Sequence, residues 1–303
     1  MNRINSIFYI AIVALFISCE KEIPFDGEIK EPKLVINSLF NDQDSFTIQV
    51  SRSLPVIDKA ELKLISEANL QLFNENNELI GKLTETTTGV YHLPGFLPEA
   101  QKSYTIKASH ERYDAVQATD KLPAQPVIVK VDTVLIPSTN EWDSKFRIEV
   151  TIDDPSETSN YYMVQLMKAE AKWETVDTTD YYWRPIYLTT NDPFTANFNS
   201  SDNVQGEKLL FQDAGFNGKK HTYGFSTEYY NVLNRWQEPG FPTAIQLRVY
   251  AISEAVFRYF ESASRYESAK YDPFATPVQV YSNVEGGFGI FGGASSTVAI
   301  IKE

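Results

Sequence analysis

Cys19 is the only cysteine in the chain. It follows Ser18, which comes directly after an apolar run, Ile7–Ile17. The run comes after a short polar start containing Arg3 and is too short to span a bilayer. A basic start, a short apolar core and small residues at its end are typical of a secretory signal peptide. The pattern therefore predicts that residues 1–18 are removed on export and that the thiol of Cys19 is acylated.

The segment Phe16-Ile17-Ser18-Cys19 resembles the lipobox of bacterial lipoproteins, with Phe16 where leucine is usual. The resemblance implies that Cys19 carries fatty acyl chains such as palmitate and becomes the mature N-terminus. Each buried methylene contributes roughly 0.8 kcal/mol to membrane binding, so a multiply acylated cysteine needs no spanning helix. The alternative is an ordinary signal peptide followed by a thiol that is buried in the fold.

Residues 19–32 combine charges with Gly27 and two prolines and show no periodicity, so we interpret them as a tether. Glu20 and Glu22, just after Cys19, resemble the export signal by which Bacteroidota move some lipoproteins to the outer face of the outer membrane. That resemblance implies an extracellular location. A solvated linker explains the same charges and remains open.

Other residue types that carry chemistry are scattered. His92, His110 and His221 occur singly, and no second cysteine or nearby histidine completes a metal-ligand spacing. The adjacent carboxyl residues Asp153 and Asp154 fall in a predicted turn, where solvated acidic side chains are common. We therefore predict no catalytic residues, no metal site and no cofactor.

The overall charge argues against one class of partner. The chain has 27 Lys and Arg residues against 40 Asp and Glu residues, a formal net charge of −13. Nucleic-acid binding depends on basic patches that neutralise phosphates. Nucleic acid is therefore excluded as an expected partner.

The glycine-rich stretch 283–296 suggests a nucleotide-binding loop at first sight. Such a loop needs a helix N-terminus after it to present amides to phosphate, whereas here a β run, Thr297–Ile301, follows as the predicted last strand. We therefore predict that these glycines permit bulges or close backbone approach beside a sheet.

Aromatic residues are concentrated where the strand periodicity fades, between Ala169 and Lys220, and again near Pro239. Aromatic rings in loops offer large, rigid contact area with a polar edge, which suits ligand or partner binding. The alternative is that these rings plug the ends of a β-sandwich. The candidate binding residues are Trp173, Tyr181, Tyr182, Trp183, Tyr187 and Trp236.

These residues need a scaffold, and period-two alternation predicts one made of strands. Residues 33–124 hold about seven short predicted strands, and Leu122–Pro126 marks the boundary to a second domain, 125–303. Ser253 is the expected N-cap of one helix, from Glu254 to about Lys270, with a stripe from Val256 to Tyr266 on its packed face. The predicted fold is mainly β, with two antiparallel β-sandwiches and this one short helix. The first resembles prealbumin-like or carboxypeptidase-regulatory-like sandwiches, and the second resembles fibronectin-III-like ones.

Four segments together resemble one family of Bacteroidota lipoproteins, domain of unknown function 4249. They are Lys33–Phe40, Val50–Ser53, Phe257–Phe260 and Ser282–Gly293. The family has no established activity or catalytic residues. Its members are often encoded beside TonB-dependent outer-membrane receptors, which implies an accessory role in uptake.

The sequence thus predicts a non-enzymatic outer-membrane lipoprotein, held by acylated Cys19, that binds a ligand or a TonB-dependent receptor at the cell surface. A structural or adhesion module is the first alternative. A surface hydrolase, which would need two carboxylates facing each other across a cleft, is the second.

Overall fold

A computed structural model describes residues 31–54, 61–140, 143–156, 158–171, 181–196, 204–232, 244–270, 274–276 and 278–302. The predicted signal peptide, Cys19 and nearly all of the tether lie outside the described residues, as do Trp173 and Trp236. All contacts reported below lie within one unit, formed by residues 32–53 and 62–303.

The described residues up to Lys121 form eight strands, most of which have buried residues at every second position. In the first strand, for example, Leu34, Ile36, Ser38 and Phe40 are buried, whereas the residues that alternate with them are not. The strands are β1 Leu34–Phe40, β2 Phe46–Arg52, β3 Asn69–Phe73, β4 Leu79–Lys82, β5 Thr84–Thr87, β6 Val90–Leu93, β7 Ser103–His110 and β8 Tyr113–Lys121.

The described residues from Val127 onward add ten strands and two helices. The strands are β9 Val127–Ile136, β10 Lys145–Asp153, β11 Tyr161–Ala171, β12 Tyr181–Ile186, β13 Leu188–Thr190, β14 Val204–Gly206, β15 Leu209–Gln212, β16 Lys220–Glu228, β17 Ile245–Ile252 and β18 Phe288–Lys302. The helices are α1 Tyr229–Val232 and α2 Glu254–Ala269. The predicted mainly β fold with a short helix near the C-terminus is confirmed.

The strands form three sheets. A nine-stranded sheet has the order β12-β11-β17-β18-β1-β2-β6-β5, with β15 also paired to β11. A five-stranded sheet has the order β14-β13-β16-β10-β9, and a four-stranded sheet has the order β4-β3-β7-β8. Neighbouring described strands run antiparallel, as predicted, except for β1 and β18, which are parallel.

Two hydrophobic cores lie between these sheets, as in a β-sandwich. One core joins residues of β1, β2 and β6 to residues of β3, β7 and β8. The other joins residues of β11 and β17 to residues of β10 and β16. Val284 and Phe291, from the end of the chain, belong to the first core. The bounds 33–124 and 125–303 stay a prediction, and the C-terminal segment adds side chains to the core of the first.

Strand β18 is shared by both parts of the nine-stranded sheet. Its first half pairs with β1 and its second half, from Ala294, pairs with β17. The strand therefore begins at Phe288, and the predicted start at Thr297 is wrong because the glycine run is itself extended. Close backbone approach is confirmed, since a Cβ on Gly293 would lie 2.5 Å from the carbonyl oxygen of Lys121. Gly289 has a φ of +107°, which side-chain-bearing residues rarely adopt.

Helix α2 packs on the nine-stranded sheet through its first turns. Ser253 is the N-cap, and its side chain accepts a hydrogen bond of 3.3 Å from the backbone nitrogen of Val256. Val256 and Phe257 are buried with Met163 and neighbouring apolar residues of β11, β17 and β18. Tyr266, at the far end of the predicted stripe, is 43% exposed, so the packed face is shorter than predicted.

Asp120, at the end of β8, ties three elements together. Its carboxylate accepts hydrogen bonds from the backbone nitrogen of Gly293, at 3.0 Å, and from the side chain of Ser253. The backbone nitrogen of Ser253 in turn donates to the carbonyl oxygen of Gly293 at 3.0 Å. Burial raises the pKa of the Asp120 carboxyl above its ordinary value, although these hydrogen bonds oppose the shift.

The close approach at Gly293 predicts a large stability loss on adding one methyl group. Gly293→Ala places a Cβ against the backbone of Lys121 and Leu122, which cannot move aside as a flexible side chain could. We expect unfolding in urea, followed by tryptophan fluorescence, to show a loss of at least about 2 kcal/mol. Gly95→Asn is the control, because its positive φ lies in open space and asparagine tolerates that conformation. A loss at position 293 no larger than at position 95 contradicts the prediction.

The raised pKa of Asp120 predicts a distinctive pH dependence of stability. Between the ordinary pKa of 3.8 and the raised folded value, the folded state binds more protons at this carboxyl than the unfolded state does. Its contribution to the free energy of unfolding therefore falls as pH rises through that window and is constant above it. In Asp120→Asn this fall disappears, so the stability of the wild type minus that of the variant should decrease with rising pH in urea titrations.

Glu85→Gln provides a control of opposite sign. The pKa of Glu85 is lowered, chiefly by a hydrogen bond from the backbone nitrogen of Gly89. Its stabilising contribution is therefore present above the unfolded pKa and is lost as pH falls through the folded pKa. The free energy of unfolding of the wild type minus that of Glu85→Gln should therefore increase with rising pH. If the two stability differences changed with pH by the same slope, the directions assigned to the Asp120 and Glu85 pKa shifts would both be contradicted.

Candidate functional site

The described part of the chain contains an acidic cleft of about 770 Å³. It lies between the β8–β9 connection, the turn after β10 and the start of α2. Its lining includes the carboxylates of Asp120, Asp153, Asp154 and Glu254. Asp154 accepts hydrogen bonds from the hydroxyl of Tyr162, at 2.6 Å, and from the backbone nitrogen of Gly218, at 2.8 Å. Asp120 and Asp154 thus hold parts of the fold together.

Asp213, close to this cleft, has a similar structural role. It accepts a hydrogen bond of 2.7 Å from the backbone nitrogen of Asn160, and burial raises its pKa. Burial, with the hydrogen bond to Asp154, raises the pKa of the Tyr162 hydroxyl.

No group of three or more His, Cys, Asp or Glu side chains that could hold a metal ion occurs among the described residues. None of the helices among these residues has the length and apolarity needed to cross a membrane.

The predicted aromatic residues that the structure describes lie on or beside β12, an edge strand of the nine-stranded sheet. Tyr182 and Tyr187 are 42% and 53% exposed, and Trp183 is half-buried. Tyr181 begins the strand, and its side chain is outside the described set. The exposure of Tyr182 and Tyr187 is not that of rings that plug the end of a sandwich, but a binding patch also requires that the rings be contiguous.

Alternation along β12 divides these rings between two faces. The hydroxyl of Tyr182 donates to Glu170 at 3.2 Å, and Arg184 pairs with the same carboxylate at 2.8 Å. Trp183 lies on the opposite face, where the guanidinium carbon of Arg248 is 5.9 Å from its ring centre. Tyr182 and Trp183 therefore do not share one contiguous patch.

The face that carries Trp183 is the outer face of β11, β17 and β18, turned away from the core. Leu166, Leu247 and Val249 point into the core, so the residues between them along these strands point outward. In register, Gln165 of β11 lies opposite Arg248 of β17, which lies opposite Val298 of β18. We call this the outer face.

Helix α2 covers one end of the outer face and leaves a pocket of about 180 Å³ beside it. Its walls are mainly apolar, and three polar side chains, Asn41, Gln165 and Lys208, also line it. We call this the outer-face pocket. Its apolar lining comprises Leu39, Met163, Val256, Phe260, Ala294 and the ring of Tyr250.

Both cations of this region contact aromatic rings. The ammonium of Lys208 lies 4.3 Å from the ring centre of Phe260, and burial lowers its pKa. The Nε atom of Arg248 is buried and has no hydrogen-bond partner among the described residues, while its Nη2 donates to Gln246 at 3.4 Å. An Nε–H group held from water without an acceptor costs free energy unless a ligand supplies one.

Sequence reasoning missed Lys208, Gln165 and Arg248. The alternation of Gln246, Arg248 and Tyr250 with apolar residues indicates that Arg248 faces away from a core. Nothing local indicates that β11 and β15 place Gln165 and Lys208 beside it, since those pairings join distant segments.

Comparison with curated proteins finds no match to the chain. The model of one family, described as Domain of unknown function (DUF4249), matches residues 20–299. The match extends from the tether into β18 and includes every residue of the outer-face pocket. The chain therefore belongs to the DUF4249 family.

Proposed function

We propose that the protein is a non-enzymatic lipoprotein, anchored in the outer membrane by acylated Cys19, that binds a ligand or receptor through its outer face. The observation that carries the binding role is the pairing of two cations with two aromatic rings, Arg248 with Trp183 and Lys208 with Phe260, beside an apolar pocket. The buried Nε–H group of Arg248, which has no hydrogen-bond partner among the described residues, also supports this role.

The anchor rests on the apolar run that ends before Cys19. The family match starts at Glu20, directly after Cys19, which supports a mature chain that begins at Cys19. Glu20 and Glu22 support export to the extracellular face. A TonB-dependent receptor is the proposed partner, in an accessory role in uptake.

The finer fold assignment also belongs to this proposal. The core between β1, β2, β6 and the four-stranded sheet supports a prealbumin-like or carboxypeptidase-regulatory-like sandwich. The core between β11, β17 and the five-stranded sheet supports a fibronectin-III-like sandwich. Two sandwiches in series would hold a binding face away from the membrane.

A structural or adhesion module is the second candidate, and strand β9 favours it. This strand is at the edge of the five-stranded sheet, and its exposed apolar residues run from Val127, at 59%, to Ile136, at 44%. Exposed apolar edge strands are sites where another chain can add a strand.

Replacing the acylated residue tests the anchor. In Cys19→Ser no thiol remains to be acylated, so we expect metabolic labelling with an alkynyl fatty acid to be lost and the protein to leave the outer-membrane fraction. Ser18→Ala is the matched control, because it keeps a small residue before the thiol. A wild-type protein that is unlabelled and soluble would refute the anchor.

Neighbouring residues of β12 provide a matched test of the binding face. Trp183→Ala removes the ring beside Arg248, whereas Tyr182→Ala changes the opposite face of the same strand. The measurement is a pull-down from detergent-solubilised outer membrane, in which mass spectrometry identifies a TonB-dependent barrel. We expect the recovery of this barrel to fall at least about tenfold with Trp183→Ala and to stay unchanged with Tyr182→Ala. Equal recovery with both variants would exclude the outer face as the receptor surface.

A further inference from the structure

We propose that the outer-face pocket binds a small anionic ligand, with a carboxylate or phosphate held by Lys208, Gln165 and Arg248 and a short apolar chain held in the pocket. This inference rests on the proposed function, because it names the class of ligand for the face assigned to binding. Carboxylate and phosphate monoester share the chemistry that these residues would recognise.

The charge on this face is opposite to that of the chain. The protein has 40 acidic residues against 27 basic ones, yet the described outward positions of β11, β17 and β18 around Arg248 hold no acidic residue. Those positions are Met163, Gln165, Met167, Gln246, Tyr250, Ser296, Val298 and Ile300. A local basic site in an acidic protein favours an anion as ligand.

Among the described residues, the two cations have no carboxylate partner. Neither Lys208 nor Arg248 forms an ion pair with another described residue. Glu207, next to Lys208 in the chain, attracts its charge without a hydrogen bond. Both cations therefore retain N–H donors for a ligand.

The register brings three donors together. Leu209 pairs with Val164 on one side of β11, so Lys208 comes next to Gln165 at that edge, and both line the pocket. Arg248 lies opposite Gln165 on the other side. Arg248 does not itself line the pocket, and because adjacent strands are about 4.8 Å apart, its Cα lies roughly 10 Å from that of Lys208. Each of these long side chains can therefore reach an anion bound above Gln165. The Gln165 amide makes no hydrogen bond to the described part of the chain, so its N–H group is also free to donate.

The size of the pocket limits the rest of the ligand. Its volume of about 180 Å³ is below the roughly 300 Å³ at which pockets for drug-sized molecules begin. Most of the lining is apolar, including Met163, Val256 and Phe260, while Asn41 and Tyr250 add hydrogen-bonding groups. A short alkyl chain fits this lining better than a sugar, most of whose hydroxyl groups would lose their hydrogen bonds there.

Calorimetric titration of the full, acylated chain in detergent tests the proposal with five probes. They are hexanoate and hexyl phosphate, which combine anion and chain, acetate and inorganic phosphate, which lack the chain, and 1-hexanol, which lacks the charge. We expect hexanoate, hexyl phosphate or both to bind at least about tenfold more tightly than the other three. Whichever of the two binds more tightly identifies the anionic group.

Variants assign that binding to the pocket. Lys208→Gln and Arg248→Gln should each weaken binding at least about tenfold, and Lys208→Arg should restore most of it. Arg258→Gln is the control, because this cation on α2 already pairs with Glu254. Each variant is compared in the same detergent, which removes partition into micelles from the difference, and circular dichroism checks its fold.

Three results would overturn the proposal. They are no binding of either chain-bearing anion, binding of 1-hexanol as tight as that of hexanoate, and affinities that do not change in Lys208→Gln and Arg248→Gln. A receptor pull-down that depends on Trp183 would leave the proposed function standing in each case. Anion binding without any receptor would instead support the pocket and remove the receptor.

Discussion

The passage of β18 through both halves of the nine-stranded sheet is the constraint on which the rest of the structure depends. Its first half must lie parallel to β1 and against the end of β8, and there is no room for a side chain at Gly293. The same glycine binds Asp120 and Ser253, and Ser253 starts α2. Because α2 supplies Val256 and Phe260 to the outer-face pocket, the backbone fit at Gly293 also sets the shape of the candidate site.

Local patterns were sufficient to predict most strands and the start of α2. Alternation in Leu34–Phe40 and the cap at Ser253 are both readable without knowledge of partners. The parallel pairing of β1 with β18 could not be predicted from the sequence, because it joins residues about 250 positions apart and leaves no local signal. The glycine run was therefore predicted to lie beside a sheet, whereas it is a strand within one.

The candidate site was predictable only in part for the same reason. Composition identified Tyr182, Trp183 and Tyr187 as unusual, and alternation could have separated Tyr182 from Trp183 in advance. Lys208 and Arg248 carry no such signal, because a cation on an outward strand position is ordinary until its neighbours are known. The acidic cleft gives the converse case, since Asp154, beside Asp153, is conspicuous in sequence yet is hydrogen-bonded within the fold.

The central claim, that the outer face is a binding surface for an anion, can be tested through the methyl groups of two methionines. The chain has 3 methionines, and Met1 lies in the predicted signal peptide, so Met163 and Met167 are the methyl probes of the mature protein, both on the outer face. In methyl NMR of the ¹³C-methionine protein, hexanoate or hexyl phosphate should shift the Met163 resonance in a saturable way, and Arg248→Gln should raise the concentration that gives half the shift at least about tenfold. An unmoved Met163 resonance at saturating concentrations of both would contradict the account.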